Sequence, residues 1–243
     1  MIKYKRLVEK TMPPEKERSA RKCIVGHYLV RPISNIVSIP LIERGIDPTI
    51  VTEISGLFII IAFFSFLFIS DSIGFWIGWI SLFIWNVLDG VDGNIARYCN
   101  KCSMHGELWD AATGWLAIIV FYLGMGLEAF HNPGHVMLFL ENIPIYFYII
   151  MGSISALFWI FPRLVMHKKA GMGGTESIRA LKRENYGFIK LIVFNITSIN
   201  GFAALIFLFA HIFKFNAICV IFYFVISLMS CSASLYFLLK KDI

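Results

Sequence analysis

Asp89, Asp92 and Asp110 are the residues whose type and spacing could do chemistry. They fall in two runs, Asn86-Val-Leu-Asp89-Gly90-Val-Asp92-Gly93-Asn94-Ile-Ala96-Arg97 and His105-Gly106-Glu107-Leu-Trp-Asp110. Asp89 and Asp92 are three apart, so on a helix they share a face. Only a short polar stretch separates the runs, so two antiparallel helix ends can bring all three carboxylates together. Three uncompensated carboxylates near lipid repel one another, and divalent cations resolve that. Hard oxygen ligands suit Mg²⁺ or Mn²⁺, which usually bind through carboxylates plus substrate phosphates. Two such ions can polarise a phosphoryl group and stabilise a leaving oxygen. Gly90, Gly93 and Gly106 cost helix stability; what they offer in return is space for a ligand or a close helix contact. The arrangement points to a metal–phosphate site. The plainer alternative is small-residue helix packing, with polar residues facing a cavity.

The elements that must position these residues are membrane helices. Of 243 residues, 58% are hydrophobic and 16% charged, against about 25% charged in ordinary soluble domains. That excludes a soluble globular enzyme and a disordered chain. Six apolar stretches are long enough to cross a bilayer, near 50–70, 73–97, 104–129, 143–165, 187–212 and 216–239, each close to the required ~20 residues. A helical bundle satisfies the backbone in lipid, and an open sheet does not. The expected fold is therefore all-α and integral to the membrane. It has two parts: an interfacial N-terminal segment over 1–49, and a six-helix transmembrane domain over 50–243. Between 24 and 43 apolar residues recur, interrupted by Pro32 and Pro40; this reads as an amphipathic helix lying on the membrane. The polar, charged N-terminus does not resemble a cleavable signal peptide.

Charge sets the expected orientation. Of 22 Lys and Arg residues, only Lys214 falls on the side opposite the rest. The positive-inside rule then puts both termini and the carboxylate runs in the cytoplasm. The net charge of +6 is thus a membrane-side feature, and nucleic acid is not an expected partner. The five cysteines suggest no disulfide framework, and the lone Cys99-x-x-Cys102 lacks the second pair that a zinc site needs. The final Lys-Lys-Asp-Ile resembles a dilysine retrieval signal, although a positively charged flank explains it as well.

The two runs together resemble the signature of the CDP-alcohol phosphatidyltransferases, Asp-x2-Asp-Gly-x2-Ala-Arg-x8-Gly-x3-Asp-x3-Asp. Asp89, Asp92, Gly93, Ala96, Arg97, Gly106 and Asp110 stand at those spacings. Pro48-Thr-Ile-Val51-Thr52 is similar to the family's Pro-x-x-Val-Thr at the start of its first span. The resemblance implies six spans after a cytoplasmic amphipathic helix, two divalent ions on Asp89, Asp92 and Asp110, and a CDP-linked donor as substrate. Thr52, Asp89, Gly93, Ala96, Arg97 and Gly106 would then line the nucleotide site. A phospho-group would pass to an acceptor at the cytoplasmic face with release of CMP, in phospholipid or envelope head-group synthesis. Membrane lipid is an expected partner and a homodimer the expected assembly. The membrane would be the inner or plasma membrane in a bacterium and the endoplasmic reticulum in a eukaryote.

The sequence departs from the signature at its last Asp, which here is Gly114. In the family that residue is a metal ligand and the proposed general base. Glu107 lies seven residues earlier, on the same side but about 10 Å along the axis, and His105 is a second candidate base; both join Asp110 as catalytic candidates. Alternatively the acceptor brings an ionised nucleophile such as a phosphate or phosphonate, or the protein binds without catalysing transfer. A transporter using the carboxylates as a cation path would place them near the midplane, not at one edge. Arg163, within the apolar run, and Lys168 and Arg179 beyond it are candidate contacts for an anionic acceptor. Gly171-Met-Gly-Gly-Thr175 reads as a turn opening a short helix from Ser177 to about Asn185. Asn195 and Asn200 are polar intramembrane residues for which helix–helix hydrogen bonds suffice.

Overall fold

A computed structural model describes residues 2–135, 142–172 and 187–240. Among them every regular element is helical: α1 (Tyr4–Thr11), α2 (Pro14–Arg21), α3 (Arg31–Glu43), α4 (Pro48–Phe68), α5 (Ser72–Tyr98), α6 (Met104–His131), α7 (Phe147–Gly171), α8 (Phe188–Thr197), α9 (Ala204–Ile212) and α10 (Asn216–Leu239). Five of these, α4 to α7 and α10, are long and apolar enough to cross a membrane.

Helix starts follow local chemistry. Asp47 accepts from Thr49 N ahead of Pro48, Asp71 accepts from Ile73 N and Gly74 N, and Ser103 accepts from Gly106 N. Each side chain satisfies amide groups that the first helical turn leaves unpaired. α4 packs on α5 and α6, and α7 packs on α6 and α10. Phe66 fills the centre against Phe75 and Phe207. A Cβ at Gly78 or Gly124 would lie 2.7 or 2.6 Å from its ring, so both glycines are needed where they stand. α6 and α7 approach backbone to backbone, since a Cβ at Gly152 would sit 2.6 Å from the Tyr122 carbonyl. Such contacts replace the hydrophobic driving force that helices lack in lipid.

The fifth apolar stretch is not one helix. α8 and α9 meet at a 49° bend, with Gly201 at φ −98°, ψ −142°. Breaking a helix at membrane depth frees carbonyls that must find partners inside the protein. Tyr122 Oη donates to Thr197 O at 2.7 Å, Tyr223 Oη to Ile196 O at 2.8 Å and Trp79 Nε1 to Ala204 O at 2.8 Å. The 187–212 run is continuous in hydropathy, so apolarity alone could not reveal the bend.

The stretch from 24 to 43 is one helical run that passes through the π-helical stretch Gly26–Val30 into α3, with α1 and α2 ahead of it, and the prolines do not interrupt it. Pro32 sits in the first turn of α3, and Pro40 lies inside it with the carbonyl it leaves unpaired, that of Ile36, on the exposed side. α3 buries a polar face against α5. Ser34 Oγ donates to Val87 O at 2.8 Å, and Asn94 Nδ2 donates to Asn35 Oδ1 at 2.9 Å. Tyr28, Leu29 and Ile36 face outward, as an interfacial helix requires. The same segment is bolted to the bend. Asn195 accepts from Ile24 N and donates to Lys22 O, while Cys23 Sγ donates to Asn200 O. The expected helix from Ser177, with Arg179, lies outside the described residues.

The bend has a direct test. A Cβ at Gly201 would stand 2.2 Å from Asn195 O, so Gly201→Ala must displace either the bend or the N-terminal clamp. Tyr122→Phe leaves Thr197 O without its partner. Each is expected to lower stability by about 1–3 kcal/mol, read as thermal unfolding in detergent, whereas Gly171→Ala, which meets no neighbour within 4 Å, is expected to change nothing.

Candidate active site

α5 runs unbroken to Tyr98 despite Gly90 and Gly93, and each glycine answers to a neighbour. A Cβ at Gly90 would meet Ser34 Oγ at 2.5 Å, so Gly90 admits α3. A Cβ at Gly93 would meet the Arg97 guanidinium at 2.9 Å, so Gly93 lets Arg97 fold back along its own helix. Arg97 then reaches Asn94 Oδ1 at 3.3 Å. Asp92 is 5% exposed, and Thr52, one turn into α4, donates to its Oδ2 at 2.7 Å. Asp89 and Asp110 face each other across the α5–α6 seam within hydrogen-bonding reach.

Three clefts meet at Asp110. The first, about 450 Å³, lies between the starts of α4 and α6 and the end of α5; Thr52, Asp92, Gly93, Ala96, Arg97 and Gly106 line it. The second, about 250 Å³, lies beneath the N-terminal helices, with Lys16, His27 and Arg31 on one wall and Asp89, Arg97 and Asp110 on the other. The third, about 270 Å³, is aromatic: Trp85, Trp115, Tyr122 and Trp159 surround Asp89, Asp110, Gly114 and Arg163. Asn200, at the bend between α8 and α9, lines the second and third.

Buried polar atoms without a hydrogen-bond partner concentrate around these clefts. Of seven among the described residues, His27 Nδ1, Trp85 Nε1, Arg97 Nε, Trp159 Nε1 and Asn200 Oδ1 belong to residues lining them. Buried polar groups are nearly always paired, so this concentration marks where a polar ligand belongs. On the N-terminal wall, burial and the guanidinium groups of Arg97 and Arg31 push the Lys16 ammonium down to about 8.

The expected residues are therefore brought together unevenly. Asp89, Asp92, Asp110, Thr52, Gly93, Ala96, Arg97 and Gly106 surround one junction. Arg163 lines the aromatic cleft, where its Nη1 donates to Trp159 O at 2.7 Å. Glu107 opens into the first cleft, whereas Gly114 lines the third, so the two address different spaces. His105 accepts from Trp109 Nε1 at 2.9 Å and lines none of the three clefts. Lys168 is exposed and lines none of them either. Sequence reasoning missed Lys16, His27, Trp85 and Trp159. Asn200 carried a signal, as a polar residue at membrane depth, but its neighbours did not.

The donor set suits a hard cation. Asp89 and Asp110 lie within reach of each other, while Asp92 is partly committed to Thr52. Among the described residues no group of three His, Cys, Asp or Glu side chains is arranged to hold a metal ion.

No curated protein and no solved structure matches the chain significantly. One family model does match, over residues 46–236, a stretch that runs from the residues just before α4 into α10 and contains Asp89, Asp92 and Asp110. With that match over most of its length, and with the signature residues gathered at one junction, the chain belongs to the CDP-alcohol phosphatidyltransferase family.

Proposed function

We propose that the protein transfers a phospho-group from a CDP-linked donor to an acceptor and releases CMP. The family supports phosphotransfer from a CDP-alcohol in lipid synthesis. The observation that supports the finer reading is the meeting of three clefts at Asp110, because transfer needs separate places for a nucleotide, a transferred group and an acceptor. The nucleotide occupies the cleft between Thr52, Gly93, Ala96 and Gly106. The alcohol portion of the donor lies in the tryptophan-lined cleft, where Gly114 leaves room. The basic residues at this end of the bundle support a cytoplasmic site.

The residues act by placing charge. Asp89 and Asp110, with Asp92, would hold Mg²⁺ or Mn²⁺, which would supply charge neutralisation for the pyrophosphate. Thr52 fixes the Asp92 carboxylate, and Arg97 adds positive charge beside the phosphates. An acceptor oxygen attacks phosphorus, the bond to CMP breaks, and CMP leaves with the electron pair. Such transfers depend on positioning and electrostatic stabilisation more than on covalent help from the protein. With glycine at 114 and Glu107 in another cleft, the proton of a neutral acceptor has no carboxylate waiting at that position. That favours an acceptor whose attacking oxygen is already ionised.

Purified protein supplied with CDP-diacylglycerol or CDP-choline, Mg²⁺ or Mn²⁺ and a panel of acceptors is expected to release CMP. Asp89→Asn and Asp110→Asn should each reduce that release by at least ~10³-fold, the scale of removing one preorganised electrostatic group. CMP binding without release from any donor would replace transfer with a binding-only role. A second outcome concerns Gly114. A Cβ there meets nothing within 4 Å, so Gly114→Asp is expected to fold as the parent does but to lower CMP release, because its side chain enters the space given to the donor's alcohol portion. Complete loss in a folded variant would show that the space is filled by substrate.

A further inference from the structure

Half of the residues lining the cleft beneath the N-terminal helices lie outside the matched stretch of 46–236. Lys16 comes from α2, His27 from the π-helical stretch Gly26–Val30 that runs into α3, and Arg31 from the first turn of α3. Opposite them stand Asp89, Asp110 and Arg97. This wall is fixed in place, not draped over the site. Asn195 clamps the backbone at Lys22 and Ile24, Cys23 Sγ reaches Asn200 O, and Ser34 reaches Val87 O. A Cβ at Gly26 would stand 3.0 Å from both Asn200 O and Cys23 Sγ, so the stretch that carries His27 seats closely against the bend.

Two features of the wall ask for an anion. Lys16 has no hydrogen bond or ion pair among the described residues, although it is partly buried. His27 Nδ1 and Arg97 Nε are buried without partners. Burial first, then the neighbouring Arg97 and Arg31, push the Lys16 ammonium down. A wall of partly buried, unpartnered donors of this kind gains from a bound phosphate or carboxylate through charge-assisted hydrogen bonds. Its volume, about 250 Å³, suits a small polar head rather than an acyl chain.

We propose that this cleft binds the acceptor through an anionic group, a phosphate, phosphonate or carboxylate, held by Lys16 and His27 beside Asp110. The proposal rests on the transferase reading for the word acceptor, but the binding itself does not depend on it. The anion would enter from the N-terminal side of Asp110, opposite the nucleotide cleft, and bring its attacking oxygen to the donor phosphorus between them. A small acceptor carrying its own charge also agrees with the missing carboxylate at Gly114.

Phosphate binding to the full-length protein, followed by calorimetry without donor and in the presence of chelator, tests this directly. Inorganic phosphate should bind and glycerol should not. Lys16→Gln and His27→Gln should each weaken phosphate by at least ~10-fold while leaving CMP affinity unchanged, because neither residue lines the nucleotide cleft. Lys16→Arg should retain phosphate, which separates loss of charge from loss of fold. Nanodiscs of phosphatidylcholine with and without phosphatidate separate the two sources of the anion. Equal phosphate affinity in both assigns the site to a soluble acceptor, and competition by phosphatidate assigns it to a lipid headgroup. Phosphate affinity that is the same in Lys16→Gln as in the parent overturns the proposal, even where CMP release proceeds normally. Absent CMP release with phosphate binding lost in Lys16→Gln leaves the anion site standing and overturns only the transferase reading.

Discussion

Asp89 and Asp110 face each other across the seam between α5 and α6, Asp89 half-buried and Asp110 exposed to the clefts that meet there. Two facing carboxylates repel, and a cation, a proton or a field of opposite sign relieves that repulsion. The surrounding structure answers that demand. Thr52 holds Asp92 so that a third carboxylate is oriented. Gly93 lets Arg97 fold back toward the acids, and Gly90 lets α3 close over them. Remove the need to manage this charge, and two glycines in the middle of a membrane helix have only a stability cost to show.

The bend between α8 and α9 is the second constraint, and it serves the first. A straight fifth span would satisfy its own backbone and present an apolar face. The bent one brings Ser198 and Asn200 to the carboxylates and depends on Tyr122, Tyr223 and Trp79 to satisfy the carbonyls it frees. It also offers Asn195 and Asn200 O to the N-terminal segment. The interfacial helices are therefore tied to the active end of the bundle through polar contacts, and their basic residues become part of a cleft wall. An intramembrane break that lines a cavity is tolerated for the reason that irregular backbone elsewhere in lipid is not.

How much of this was legible depends on the range of the interaction. The Asp-x2-Asp-Gly spacing puts two acids on one helix face by geometry alone, and the short link to Gly106 and Asp110 makes their meeting nearly unavoidable. Thr52 was recognisable because Pro48-Thr-Ile-Val51-Thr52 resembles the family's Pro-x-x-Val-Thr at the start of its first span. Pro32 and Pro40 were read as interruptions of the 24–43 stretch because periodicity cannot see that Pro32 sits in a first turn, where its missing amide is harmless. Lys16 looked like one of many surface cations; its pairing with a cleft depends on where α2 comes to rest. Glu107 was a plausible substitute base along one helix axis, yet the helix divides the space so that Glu107 and Gly114 face different clefts.

The sequence by itself determined the class of protein and the family signature at its centre. Apolar runs of spanning length admit only helices in lipid, and acids three apart share one helix face. Only the tertiary structure decided that three clefts converge on Asp110, that the fifth span is broken, and that Lys16 and His27 face the acids. Those facts rest on contacts between residues far apart in the chain, such as Tyr122 with Thr197 and Cys23 with Asn200. No local propensity encodes them; they exist because buried polar groups had to find partners once the helices packed.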